Sequence, residues 1–185
     1  MGKRSDFPRR PRDAYPTPEA ALLPLLDHLE PGCTFEEPCC GDGDLVRHLE
    51  NFGHICLRAS DIAAPSGYSG LDAREIDGTS ADCFITNPPW QRDVLHGIIE
   101  NLSRIKRTFL LIDADWMHTK QAAPYMAICR KIVSIGRVKW IPESKNTGKD
   151  NCCWYLFDNR RSKLPPHLAF DFWEGPPTFH PRRND

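Results

Sequence analysis

Asn87, followed by Pro88, Pro89 and Trp90, carries the side chain in this sequence whose type and setting most directly invite chemistry. Its amide has one acceptor oxygen and two donor hydrogens. Two successive prolines remove two backbone donors and fix both φ angles, so the loop they form is stiff. Such a loop suits a flat ring bearing an exocyclic amine. The Asn87 oxygen accepts one N–H, the Pro88 carbonyl accepts the other, and Trp90 stacks on the ring face, worth roughly 1–3 kcal/mol per base. A plain proline turn with an exposed indole is the structural alternative.

The elements that must position this loop are readable around it. Residues 83–86 (Cys-Phe-Ile-Thr) form a short apolar run, predicted as a buried strand that the prolines terminate. In open α/β sheets the carboxyl ends of strands are where ligands bind. A second unit lies upstream, where residues 33–37 lead into Pro38-Cys39-Cys40-Gly41-Asp42-Gly43 and then into a helical pattern with Leu45, Leu49 and Phe52 on one face. Strand, glycine turn and helix make a nucleotide-cradling unit, because glycines admit a ligand close to the backbone and the helix start offers free N–H groups. It is neither a Walker loop nor Gly-x-Gly-x-x-Gly, since Val46 stands at the third glycine position. Residues 54–61 read as a strand ending in Asp61, where ribose hydroxyls would sit, and Asp72 follows in a loop.

Thr17-Pro18-Glu19 predicts a helix start with Thr17 as N-cap, and Leu22, Leu23, Leu25, Leu26 and Leu29 supply its apolar face. Pro31-Gly32 ends it. Val94, Leu95, Ile98, Ile99 and Leu102 recur at helical spacing after the proline loop. Residues 108–113 read as a fully buried strand, 122–131 as a helix, and 133–141 with 152–157 as an antiparallel pair. The intervening residues 142–151 form a polar loop too long for a tight hairpin turn, and its Lys145 and Lys149 are candidate nucleic-acid contacts.

With 185 residues, 40% hydrophobic and 26% charged, the chain is of a size and composition for one soluble domain. No run reaches the length of a membrane span and no apolar signal segment follows the start, which predicts a cytoplasmic protein. The eight cysteines include two adjacent pairs and no Cys-x-x-Cys, so reduced thiols are expected rather than a disulfide framework or a metal site. A net charge of −1 hides an uneven distribution. Lys3, Arg4, Arg9, Arg10 and Arg12 crowd the amino-terminal arm, and Arg160, Arg161 and Lys163 follow the last strand, where they suit phosphate contacts or simply a solvated tail. The expected organisation is a basic arm over 1–14, a catalytic domain over 15–160 and a tail over 161–185.

Glu37-Pro38-Cys39-Cys40-Gly41-Asp42-Gly43 resembles the glycine-loop signature of class I S-adenosylmethionine-dependent methyltransferases, with Cys39 in place of the usual phenylalanine. Asn87-Pro88-Pro89-Trp90 resembles the catalytic motif of their adenine-N6 members, and the helix start at Tyr15–Pro18 resembles their amino-terminal motif. The likeness spans roughly residues 14–158. It implies a Rossmann-like α/β fold, a mostly parallel seven-stranded sheet with one antiparallel strand and helices on both faces. It implies S-adenosyl-L-methionine as cofactor, with Glu37 on the methionine amine, Pro38, Cys39, Gly41 and Gly43 beside it, Asp61 on the ribose and Asp72 on the adenine amine. Thr17 and Tyr15 would lie by the methionine carboxylate. The implied reaction is methylation of adenine N6 in DNA by Asn87, Pro88, Pro89 and Trp90, with Arg9, Arg10, Lys145 and Lys149 touching the nucleic acid.

The alternatives left open are an RNA base, a protein glutamine amide, or a non-catalytic module that only binds nucleic acid. No large recognition domain follows the last predicted strand, which resembles the compact enzymes of phages and prophages, acting in a bacterial or infected host cell.

Overall fold

The computed structural model describes residues 15–63, 67–145 and 147–160. The basic arm with Arg9 and Arg10, and the tail over 161–185 with Arg161 and Lys163, lie outside the described residues.

Six strands make one sheet: β1 (Thr34–Glu37), β2 (Ile55–Ala59), β3 (Cys83–Thr86), β4 (Thr108–Asp113), β5 (Cys129–Arg137) and β6 (Asn151–Phe157). Their order is β2-β1-β3-β4-β6-β5. The first four are parallel, and β6 runs antiparallel to both β4 and β5, so it alone is reversed. Each buried strand alternates its side chains between two covered faces, which is why residues such as Phe84-Ile85 and Leu110-Leu111 are apolar in succession.

Helices cover both faces. α1 (Glu19–Leu26) and α2 (Asp44–Asn51) place Leu22, Leu25, Leu45 and Leu49 against Phe35, Ile85, Leu111 and Trp154. On the other face α3 (Arg92–Ile105) packs Leu95, Ile98, Ile99 and Leu102 against Phe84, Leu110, Ile112 and Tyr155. Burying each such leucine contributes about 1.5–3 kcal/mol relative to leaving it in water. The Trp154 indole N–H donates to the Ala21 carbonyl at 2.8 Å and ties α1 to the sheet.

Several expectations need correction. The sheet has six strands among the described residues, not seven. The segment between β2 and β3 carries Gly67, Gly70 and Gly78 and makes only an isolated parallel bridge, Ser60 with Ser69. Strand β2 is therefore an edge, with Ile55 53% and Leu57 46% exposed. Thr17 is not the N-cap of α1: Pro18 holds that position in an extended conformation, with no side-chain cap. The helix also stops at Leu26, before Pro31-Gly32, and Leu23 faces solvent. Phe52 lies beyond the last turn of α2 and is exposed rather than on its buried face. The helix expected over 122–131 is a single turn, α4 (Ala123–Met126), and β5 begins at Cys129. Seven residue pairs with β6, spread from Cys129 to Arg137, outweigh a helical pattern that Pro124 already confines to its first turn.

Candidate active site

The chain switches direction across the sheet between β1, whose next strand lies on one side, and β3, which lies on the other. At the carboxyl ends of the strands flanking that point is a cavity of about 620 Å³. That size falls in the range of small-molecule sites, roughly 300–1,000 Å³. Its walls include Glu37 from β1, Asp61 just past β2, Asp72 from the following loop, and Asn87 just past β3.

Glu37 is the last residue of β1 and is buried. Burial raises its pKa well above the carboxylate range, opposed by the Val46 backbone N–H that the carboxylate accepts and reinforced by the nearby Asp61 and Asp44. The Oε2 atom has no hydrogen-bond partner. A buried carboxylate in this state is costly until a cation or strong donor meets it.

The glycine turn shapes the wall beside Glu37. The Cys40 N–H donates to the Ser60 carbonyl at 2.9 Å and the Gly41 N–H to Asp61 Oδ2 at 3.1 Å, which holds the turn against the end of β2. Asp61 also accepts from the Ala63 N–H at 2.8 Å. Gly41 has a φ of +49° with open space where a Cβ would stand, and it lines the cavity. Gly43 has a φ of +78° and caps α2, but the Tyr68 phenol covers its α-carbon and Gly43 does not line the cavity. Of the two glycines that the resemblance implies beside the ligand, Gly41 lines the cavity. Cys39 lines the cavity, its thiol pushed up by burial and by the Asp61 and Glu37 carboxylates.

Asp72 is braced by Arg74, whose guanidinium and backbone N–H both donate to it and hold its carboxyl below the usual range. Arg74 itself lines the cavity and escaped the sequence reading; an Asp-x-Arg pair in an irregular loop was the available signal.

Asn87 lies half-buried at the cavity wall with Pro89 beside it, while Pro88 is buried and does not line the space. The Asn87 Nδ2 donates to Thr17 Oγ1 at 3.2 Å. Tyr15 lines the cavity and contacts the Trp140 ring, their centroids 6.2 Å apart. Trp90 is half-buried: its indole N–H donates to the Leu111 carbonyl, and its ring meets Trp140 edge-on at 6.2 Å. It does not line the cavity. Trp140, the aromatic shared by Tyr15 and Trp90, was not singled out in the sequence, where it stands in a strand pattern.

Lys145 and Lys149 are exposed on the loop between β5 and β6, away from the cavity walls. All eight cysteines are free thiols. Among the described residues no cluster of His, Cys, Asp or Glu forms a metal site, and no helix is long and apolar enough to cross a membrane.

No protein-family model matches the chain, and no curated protein matches its sequence. Solved structures do match. A candidate RNA methyltransferase from Pyrococcus horikoshii aligns with a TM-score of 0.57 at 15% identity, over 84% of this chain and 91% of that one. A dimethyladenosine transferase from Plasmodium falciparum gives 0.51 at 15%, over 76% of this chain and 61% of that one. The methyltransferase subunit of a type I restriction-modification system from Streptococcus thermophilus gives 0.50 at 10%, over 80% and 45%. The chain thus spans less than two thirds of the latter two. At these identities the likeness is one of fold, and the fold is the Rossmann-like α/β sheet that these methyltransferases carry.

Proposed function

We propose that this chain transfers a methyl group from S-adenosyl-L-methionine to the N6 amine of adenine in DNA. One observation carries the reading: an orphaned, buried carboxylate oxygen on Glu37 and the amide of Asn87 line the same cavity, with Asp61 and Asp72 between them in chain order. A zwitterionic amino acid joined to a nucleoside matches that donor and acceptor set. Its ammonium would meet Glu37, its ribose hydroxyls Asp61 and its adenine amine Asp72, with Gly41 allowing close approach. When bound, the cofactor supplies a methyl carbon on a sulfonium that departs as a neutral thioether.

The chain's own residues then act on the acceptor. An adenine N6 lone pair is delocalised into the ring and is a poor nucleophile. The Asn87 Oδ1 accepts one of its N–H groups and the resemblance assigns the other to the Pro88 carbonyl, which together favour a pyramidal amine and stabilise the positive charge that develops on nitrogen. The nitrogen loses a proton to water after the new N–C bond forms, so no strong general base is required. Holding both reactants in one cavity supplies much of the rate. A duplex hides N6, so the base must be flipped out or single-stranded. Trp90, fixed edge-on to Trp140, offers the aromatic surface next to the proline loop on which such a base would stack. Lys145 and Lys149, with Arg9 and Arg10, would hold the phosphates.

The choice of DNA adenine rests on the Asn-Pro-Pro-Trp resemblance. Incubating the protein with labelled S-adenosylmethionine and unmodified DNA, RNA and protein pools, followed by nucleoside and residue analysis, tests it. Label in N6-methyladenine of the DNA arm supports the reading. Label only in RNA or in glutamine reassigns the substrate, and cofactor binding without transfer to any pool leaves a non-catalytic module.

A further inference from the structure

We infer that Thr17 is a positioning residue for the Asn87 amide, holding it so that its oxygen rather than its nitrogen is offered to the acceptor amine. The inference rests on the role of Asn87 given above.

An Asn side chain has two nearly isosteric ends of opposite hydrogen-bonding sense, and a half-turn about its terminal torsion exchanges them. For the proposed chemistry only one orientation works, because an NH₂ pointed at the acceptor amine would oppose two donors. The backbone of a proline loop fixes where Asn87 stands, not which way its amide faces. A threonine hydroxyl can donate or accept, and here the Thr17 Oγ1 accepts the Asn87 Nδ2–H at 3.2 Å, from 70 residues earlier in the chain. With the nitrogen engaged there, Oδ1 is the end left to accept from the acceptor amine.

Thr17 is itself held firmly enough to serve. It is only 5% exposed, although it precedes a helix where a threonine ordinarily spends its hydroxyl on a backbone N–H. Here α1 receives no side-chain cap, and Pro18 takes the cap position. Helix α1, which follows it, is tied to the sheet by the bond between Trp154 and the Ala21 carbonyl. The hydroxyl is thus diverted from helix capping to the catalytic loop. Both Thr17 and Asn87 line the cavity, so the contact lies at the reacting site.

The test compares Thr17→Val, which keeps the shape and loses the hydroxyl, with Thr17→Ser, which keeps the hydroxyl. The side-chain amide signals of Asn87 in ¹⁵N-labelled, ligand-free protein are assigned by their loss in Asn87→Asp. Wild type and Thr17→Ser should give one dispersed pair with slowed hydrogen exchange. Thr17→Val should shift the pair and speed its exchange by about tenfold or more. In kinetics, Thr17→Val should lower kcat about ten- to a hundredfold with cofactor affinity within about threefold, and Thr17→Ser should restore it. Amide signals unmoved by Thr17→Val would overturn the inference. So would weakened cofactor binding with kcat intact at saturation, the signature of a cofactor ligand. Absence of methyl transfer by wild type defeats the proposed function instead, and the amide signals still decide the orienting role.

Discussion

The indole N–H of Trp90 donates to the backbone carbonyl of Leu111 at 3.1 Å, so the aromatic of the proline loop is bolted to strand β4 by its own side chain. A free stacking platform needs no such anchor; a fixed one does. Trp90→Phe keeps an aromatic face but leaves the Leu111 carbonyl without this donor. It should cost about 1–2 kcal/mol of stability in chemical denaturation, with an unchanged slope. It should also raise the KM for nucleic acid more than it lowers kcat. Equal stability of the two proteins would mean that the bond contributes nothing net.

Glu37 makes the ligand-free protein sensitive to pH in a defined direction. Its folded pKa lies well above its ordinary value near 4.5, because burial disfavours the charge. The folded chain therefore binds a proton that the unfolded chain releases. Stability from this group is full below the ordinary value and is lost as pH rises through the raised one. Glu37→Gln should abolish that loss, so the variant melts higher than wild type at neutral and alkaline pH while binding no cofactor. Parallel melting curves across pH would contradict the raised pKa of Glu37, and retained binding would contradict the placement of an ammonium there.

The two glycines of the turn should separate into a binding role and a folding role. A Cβ at Gly41 meets no atom within 4 Å and Gly41 lines the cavity, so Gly41→Ala should cost only about 1 kcal/mol of left-handed strain yet weaken cofactor binding about tenfold or more. Gly43→Ala adds a clash with the Tyr68 ring to the same strain, and should cost about 1–3 kcal/mol beyond it. Calorimetric titration and melting of both variants, with Tyr68→Ala added to relieve the clash, check the division.

Lys145 and Lys149 stand exposed on the β5–β6 loop. If they meet phosphates, the double alanine variant should reduce the salt slope of nucleic-acid binding by about 1–2, uniformly across sequences. An unchanged slope would remove them from the interface.

Much of this architecture was legible because burial leaves a simple trace. Residues 83–86 and 108–113 are continuous apolar runs, as strands covered on both faces must be, and Leu95, Ile98, Ile99 and Leu102 repeat at the helical period of the face they bury. Glu37, Asp61 and Asn87 were legible by position, since each stands at or just past the end of a strand. Where local rules competed with distant partners, the reading failed. Thr17 has the type and place of an N-cap, and nothing nearby in sequence announces that Asn87 takes its hydroxyl. The Tyr68 phenol that stands over Gly43 likewise has no local signal in the sequence. Residues 129–131 close a stretch read as helical, but the pairing of Cys129 and Lys131 with β6, twenty-five or more residues away, makes a strand. The seventh strand was implied by resemblance alone, and the glycines between β2 and β3 argue locally against it.

The most direct measurement is methyl incorporation from labelled S-adenosylmethionine into unmethylated DNA by wild type and Asn87→Ala side by side, with cofactor affinity measured on both. The account predicts label in N6-methyladenine for wild type, none above background for the variant, and cofactor affinities within about threefold of each other. Undiminished incorporation by Asn87→Ala would contradict it, because the amide would then play no part in the reaction.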